Sequence, residues 1–263
     1  MTIDYDARSL SDGKAMNNSR RLVLIGFALA LTAARVAAAD NELKPFGDAA
    51  AAKPLAPWRV VGLPQQDPEA KPFTKFSVET VQGKRALKID ADRSYGNLFH
   101  PLPASSSNRT LSWSWRVEKL NDQSDLTQRR GDDTTIKVCA LFDLPLDKAP
   151  FIERQVMRSA RAKTDDPVPG ATLCYVWDNA LPVGKVLDSP FTHQLRYVVV
   201  RSGPAGLGEW QSEKRDLAAD FKRVFADESP DNVPPLMGIA IGADSDNTKQ
   251  HTVAHAADIA LVP

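Results

Sequence analysis

The chain has 263 residues, 43% of them hydrophobic, with 33 basic and 33 acidic side chains. A formal charge of +0 argues against a nucleic acid or an anionic membrane as main partner, because both select for a basic excess. Two cysteines, Cys139 and Cys174, are too few for a disulfide-dense mini-domain, and too few for a zinc site built on cysteine alone.

Residues 1–39 read as a secretory signal peptide. Arg20-Arg21 precedes the apolar run Leu22–Ala34, and Ala37-Ala38-Ala39 supplies an A-x-A-type cleavage site. The run is shorter than the roughly 20 apolar residues that cross a bilayer. No later segment is longer, so no transmembrane segment is expected once the signal is removed. Either Met1 or Met16 starts the chain, because the acidic stretch before Met16 is atypical of a signal. Removal of 1–39 leaves 28 basic and 30 acidic side chains, still near neutrality. A periplasmic or secreted location is expected, and with it an oxidising environment for Cys139 and Cys174.

Residues 40–57, rich in alanine and proline, are expected to form a flexible entry segment, and 58–263 a single domain. From Trp58 onward short runs alternate with period two between turn residues. Strands are predicted near 58–61, 75–80, 85–91, 97–102, 110–117, 134–142, 172–177, 195–201, 236–242 and 253–262. The clearest carries Leu111, Trp113, Trp115 and Val117 on one face and Ser112, Ser114 and Arg116 on the other. Asp216–Ala226 breaks the pattern: Leu217, Phe221 and Val224 recur at helical spacing behind Asp216 as N-cap. A polar insertion at 144–170 holds a second candidate helix, whose Arg154, Arg158, Arg161 and Lys163 read as a solvated face. These elements predict an all-β, jelly-roll-like β-sandwich with one or two short helices packed at its edge.

The parity of the 134–142 and 172–177 strands lets Cys139 and Cys174 meet if the two strands pair; otherwise they are free thiols. Asp132 and Asp133 stand at the start of the first of these strands. Asp244, Asp246 and Asn247 follow the 236–242 strand and, if that strand runs parallel to 172–177, arrive at the same end. Oxygen donors on such loops suit a hard cation such as Ca²⁺, although Asp and Asn are also favoured turn residues. His100, His193, His251 and His255 form no metal motif, and no nucleophile elbow, Walker loop or dinucleotide fingerprint occurs. The candidate sugar-stacking aromatics are Tyr175, Trp177 and Trp210; Trp113 and Trp115 are assigned to the core.

Several of these pieces, in this order, resemble a known family: the Trp113–Val117 strand, Gly131-Asp132-Asp133, Leu173–Trp177, Arg201-Ser202-Gly203, Gly208-Glu209-Trp210, Asp220-Phe221 and the closing Gly238–Asp258 stretch. They are similar to the exported bacterial proteins grouped as domain of unknown function (DUF) 3047, over about residues 58–262. The insertion at 144–170 is longer and more basic than that pattern. The resemblance implies an exported β-sandwich, similar in architecture to jelly-roll carbohydrate-binding modules, and no specific activity. The expected function is non-catalytic binding of a glycan or other small envelope ligand. The alternatives are a periplasmic hydrolase or lyase using the strand-end carboxylates, and a structural or partner-binding envelope protein.

Overall fold

The computed structural model of the chain describes residues 42–48, 50–62, 72–105, 109–148, 151–163, 168–229 and 232–262. Residues 1–39, expected to be a signal peptide, lie outside the described residues. Among the described residues twelve strands follow in order: β1 Arg59–Val61, β2 Lys75–Val81, β3 Lys84–Asp92, β4 Tyr95–Ser105, β5 Thr110–Val117, β6 Lys137–Phe142, β7 Ala171–Asp178, β8 Val186–Ser189, β9 Thr192–Ser202, β10 Gln211–Asp216, β11 Leu236–Asp244 and β12 His251–Val262. The helices are α1 Phe151–Lys163, inside the polar insertion, and α2 Leu217–Val224.

The strands form a seven-stranded sheet, β1-β4-β11-β6-β7-β9-β8, and a five-stranded sheet, β10-β5-β12-β3-β2. Pairing is antiparallel throughout except between β7 and β9. Apart from the consecutive pairs β2–β3, β6–β7 and β8–β9, sheet neighbours are not consecutive in the chain, as β11 is not between β4 and β6. The protein is therefore a β-sandwich of jelly-roll type. The described residues form one compact unit.

The apolar face of β5 fills the space between the sheets. Trp113 meets Tyr175 of β7 at a ring-centroid distance of 5.3 Å, and Trp115 meets Trp177 at 6.1 Å. Tyr175 and Trp177 are almost completely buried in this core, where each ring removes a large apolar area from water. Asp216 caps α2 by accepting the Ala219 N–H at 3.0 Å, as its position before the apolar periodicity predicts. Phe221 and Phe225 carry α2 onto the core.

The segment expected to be a flexible entry is instead fastened. Leu43 and Phe46 are buried in the core, Glu42 N–H bonds to the Leu261 carbonyl at 3.0 Å, and the Trp58 indole donates to the Lys44 carbonyl at 2.7 Å. The alanines and prolines that look loose in sequence are spacers between these apolar anchors.

The seven-stranded sheet is also covered on its other face. Cys139, Val176, Tyr197, Val199 and Ala240 form a second apolar cluster there, packed against Leu126 and Leu181 from the loops at 118–136 and 179–185. Cys139 and Cys174 lie directly opposite in the β6–β7 register and are joined by a disulfide within this cluster. Two covered faces explain why β6 and β7 read as continuous apolar runs rather than strict alternations.

Candidate functional site

β7 runs antiparallel to β6, and so does β11, so Asp178, Lys137 and Asp244 arrive at the same end of the sheet. There the 132–133 and 244–248 segments meet. Asp133, fully buried, binds the late loop with both carboxylate oxygens. Its Oδ1 accepts the Asn247 backbone N–H and Nδ2 at 3.2 Å each, and its Oδ2 accepts the Thr248 N–H at 2.7 Å and hydroxyl at 2.6 Å. The Asn247 amide also donates to the Asp132 carbonyl at 3.1 Å. Asp133 is thus the fastener between two loops that are more than one hundred residues apart.

Beside this fastener the outer face of the seven-stranded sheet holds a cavity of about 310 Å³. Tyr95 and Asn97 of β4, Lys137 of β6, Leu195 and Tyr197 of β9 and Asp244 of β11 supply the strand-borne lining. The facing ends of β8 and β9 add Ser189 and Thr192, and loops add Asp132, Phe191, Asp246 and Asn247. Gly242 leaves room for the Asn97 side chain to lie across β11: a Cβ there would stand 2.3 Å from Asn97 Oδ1. Phe191, 54% exposed in the β8–β9 turn, forms an apolar rim, with the Arg129 guanidinium 5.3 Å from its ring centroid.

The acids of the cavity differ in state. Lys137 Nζ donates to Asp244 Oδ2, and the two side chains are only 8% and 14% exposed. Burial pushes the Asp244 carboxyl above its ordinary range. Lys137 opposes that shift, and the nearby Asp133 and Asp246 charges add to it. Burial likewise raises Asp132, against hydrogen bonds from Tyr197 and Ser189 and the charge of Lys137, while Asp244 again adds to the rise. The Ser189 hydroxyl donates to Asp132 Oδ2 at 3.0 Å. Asp132 Oδ1 is buried and has no hydrogen-bond partner. The phenol of Tyr197 is held well above its ordinary range by burial and by the Asp132 and Asp244 charges, so it stays a hydroxyl.

Asp132, Asp244, Asp246 and Asn247 therefore come together at one cavity, while Asp133 serves the scaffold beside it. Among the described residues no three His, Cys, Asp or Glu side chains group as ligands for a metal ion. The stacking aromatics fall elsewhere. Tyr175 gives its hydroxyl to Asp220 at 2.9 Å, and Trp177 gives its indole N–H to the Gly203 carbonyl at 3.0 Å; both are core side chains rather than a ligand platform. Trp210 is partly exposed ahead of β10 on the other sheet, with Lys84 Nζ 5.5 Å from its ring centroid, and does not line the cavity. None of the four histidines lines it either; His251 and His255 pair with Asp90 and Glu79 at 2.9 and 2.8 Å.

Sequence reasoning missed Tyr95, Asn97, Lys137, Ser189, Phe191 and Tyr197. One signal was available: Lys137 opens an otherwise apolar strand, and a cation in a strand buried on both faces calls for a local anion.

The family model described as "Protein of unknown function (DUF3047)" matches residues 56–260. No curated protein matches the chain. Among solved structures the chain is similar to the xyloglucanase domain of NopAA, a type three effector from Sinorhizobium fredii in complex with cellobiose. That similarity has 11% identity and a TM-score of 0.41, and covers 79% of this chain and 98% of that one. It is also similar to Trichoderma harzianum endoglucanase 3 from family GH12, at 9% identity, 72% and 84% coverage and a TM-score of 0.37. A third similarity is to the cellulose-induced protein Cip1, at 11% identity, 78% and 90% coverage and a TM-score of 0.36. Likeness at this level bears on neither ligand nor chemistry.

Proposed function

The chain belongs to the DUF3047 family of unknown function, and we propose that it is an exported domain that binds a carbohydrate-type ligand in the cavity on its seven-stranded sheet. The observation that carries this reading is the mixed lining. Carboxyls, side-chain amides, hydroxyls and one ammonium face a space of about 310 Å³ with Phe191 at its rim. Sugar hydroxyls both donate and accept, so they need acceptor-only and donor-only groups side by side, with an apolar surface for the ring face. The cavity has the lower end of the volume common for small-molecule sites, which suits one or two sugar units. An oxidising, periplasmic or secreted location is part of the proposal. The signal-like pattern of residues 1–39 and the Cys139–Cys174 disulfide support it.

Glycan-array screening followed by calorimetric titration tests the reading. Asn97→Ala and Phe191→Ala are each expected to weaken binding about tenfold while the fold is kept. Unchanged affinity in both variants would remove the cavity from the site.

One observation favours a second reading, a hydrolase or lyase. Asp132 and Asp244 line the same cavity with their carboxyls raised above the ordinary range, the property that acid catalysis at neutral pH requires. Release of reducing ends from a bound oligosaccharide, abolished in Asp132→Asn, would select this reading. Recovery of the oligosaccharide intact after prolonged incubation would reject it.

A further inference from the structure

We propose that His100 is a proton-operated latch on the segment before β1: protonation of its imidazole frees the Leu43–Phe46 stretch from the core and leaves the two sheets intact.

His100 lies on β4, opposite Ile239 of β11, and is only 3% exposed. Both ring nitrogens are committed. Nδ1 stands 2.8 Å from the Pro101 carbonyl, which can only accept, so that nitrogen carries the proton. Nε2 accepts the Lys44 backbone N–H at 3.1 Å. The Trp58 indole meets the imidazole edge-on at a centroid distance of 4.9 Å and donates to the Lys44 carbonyl at 2.7 Å. Phe46 in turn lies 4.9 Å from the Trp58 ring. The imidazole therefore holds the backbone of the residue next to Leu43, one of the two buried anchors of the segment.

A second proton can go only to Nε2, which would then aim an N–H at the Lys44 N–H. Two donors would face each other around a buried cation, and the latch bond would be lost. The charge that acts on the ring is Lys44, and it opposes protonation. From β11 the ring faces Ile239, and Arg59 of β1 turns to the other side of the sheet, 5.6 Å from the Phe99 ring. Burial above all, with Lys44 adding, holds the imidazole below its ordinary range against its backbone hydrogen bonds. A lowered folded value gives stability that is full above the ordinary value of about 6.5 and is lost as pH falls toward the folded one. The later part of the segment is held without His100: the Val78 N–H donates to the Ala52 carbonyl at 2.9 Å and Arg85 Nε to the Asp48 carbonyl at 3.0 Å. Release is therefore confined to the stretch around Lys44.

The experiment follows amide hydrogen exchange of the full chain by NMR at about pH 7.5 and about pH 5.5, on either side of the ordinary imidazole value. Each rate is taken relative to the unstructured chain at the same pH. Protection of the Lys44 amide is expected to fall about tenfold at the lower pH, while amides of β6 and β7 keep theirs. His100→Gln retains a neutral acceptor for the Lys44 N–H, and its protection there is expected to be the same at both values. Should that variant fail to fold, the imidazole C–H resonances of the unaltered protein serve instead: their titration is expected to coincide with the loss at Lys44. Unchanged protection at Lys44 would overturn the inference, as would a loss that persists in His100→Gln. A loss shared equally by β6 and β7 would overturn it too, because the whole domain would then be unfolding. So would an imidazole that titrates with no change at Lys44.

Discussion

Two aspartates show opposite responses to burial. Asp220, 7% exposed in its side chain, is surrounded by donors: Arg215 Nε at 2.8 Å and Nη2 at 2.6 Å, the Tyr175 hydroxyl at 2.9 Å and Arg223 at 3.3 Å. Burial pushes its carboxyl up, but these bonds more than offset that and leave it below its ordinary range. A depressed folded pKa gives stability that is present above the unfolded value of about 3.9 and lost as pH falls through the folded one. Asp220→Ala is expected to lose about 3 kcal/mol at pH 7, because it strands Arg215 and the Tyr175 hydroxyl. The deficit should shrink in urea titrations below about pH 4. Asp132 has the reverse sign. Its raised folded pKa means that stability is full below about pH 3.9 and is lost as pH rises through the folded value. Asp132→Asn has no proton to lose, so its urea midpoint is expected to exceed that of the parent at pH 7 and to converge with it toward pH 4. A lower midpoint at pH 7 would contradict this assignment.

At the scale of elements, the β6–β7 pair is the spine of the seven-stranded sheet, and the disulfide closes the connection that contains α1, with a sequence separation of 35. Loop-closure entropy for a span of that length puts the loss in Cys139→Ala/Cys174→Ala at about 3–4 kcal/mol. Chemical denaturation with and without reductant measures it. Elements with strong local signals were legible in the sequence. The Leu111–Val117 alternation and the Asp216 cap with its apolar spacing both stand in the fold as read. β8 and β10 were not legible. β10 is Gln-Ser-Glu-Lys-Arg-Asp, with no apolar side chain to show a face, and is held as an edge strand by pairing with β5. The cavity was half legible, for a related reason. Loop aspartates announce themselves by composition, but Asn97, Lys137 and Tyr197 share a floor only through cross-strand register between β4, β11, β6, β7 and β9, which no local pattern encodes. Tyr175 and Trp177 read as stacking candidates because alternation marks a shared face without saying which face is covered.

For the molecule as a whole, the segment before β1 belongs to the core. A chain beginning at Trp58 lacks Leu43 and Phe46, whose burial is worth about 1.5–3 kcal/mol each. Against a typical total of about 5–15 kcal/mol, that loss should lower the urea midpoint of the truncated chain well below that of one beginning at Ala39. An unchanged midpoint in the chain starting at Trp58 would refute this view of the segment. The Asp133 fastener has a wider consequence. It ties the 132–133 loop to Asn247 and Thr248, so the cavity exists only when the middle and the late part of the domain are both in place. A molecule seated there engages the native state and not the unfolded chain. By mass action it stabilises the entire sandwich, by about 2.7 kcal/mol at one hundred times its dissociation constant. Melting temperature thereby becomes a detector of ligands of unknown identity, needing no assay for any activity, and Asp132→Asn is the natural control for hits at this cavity.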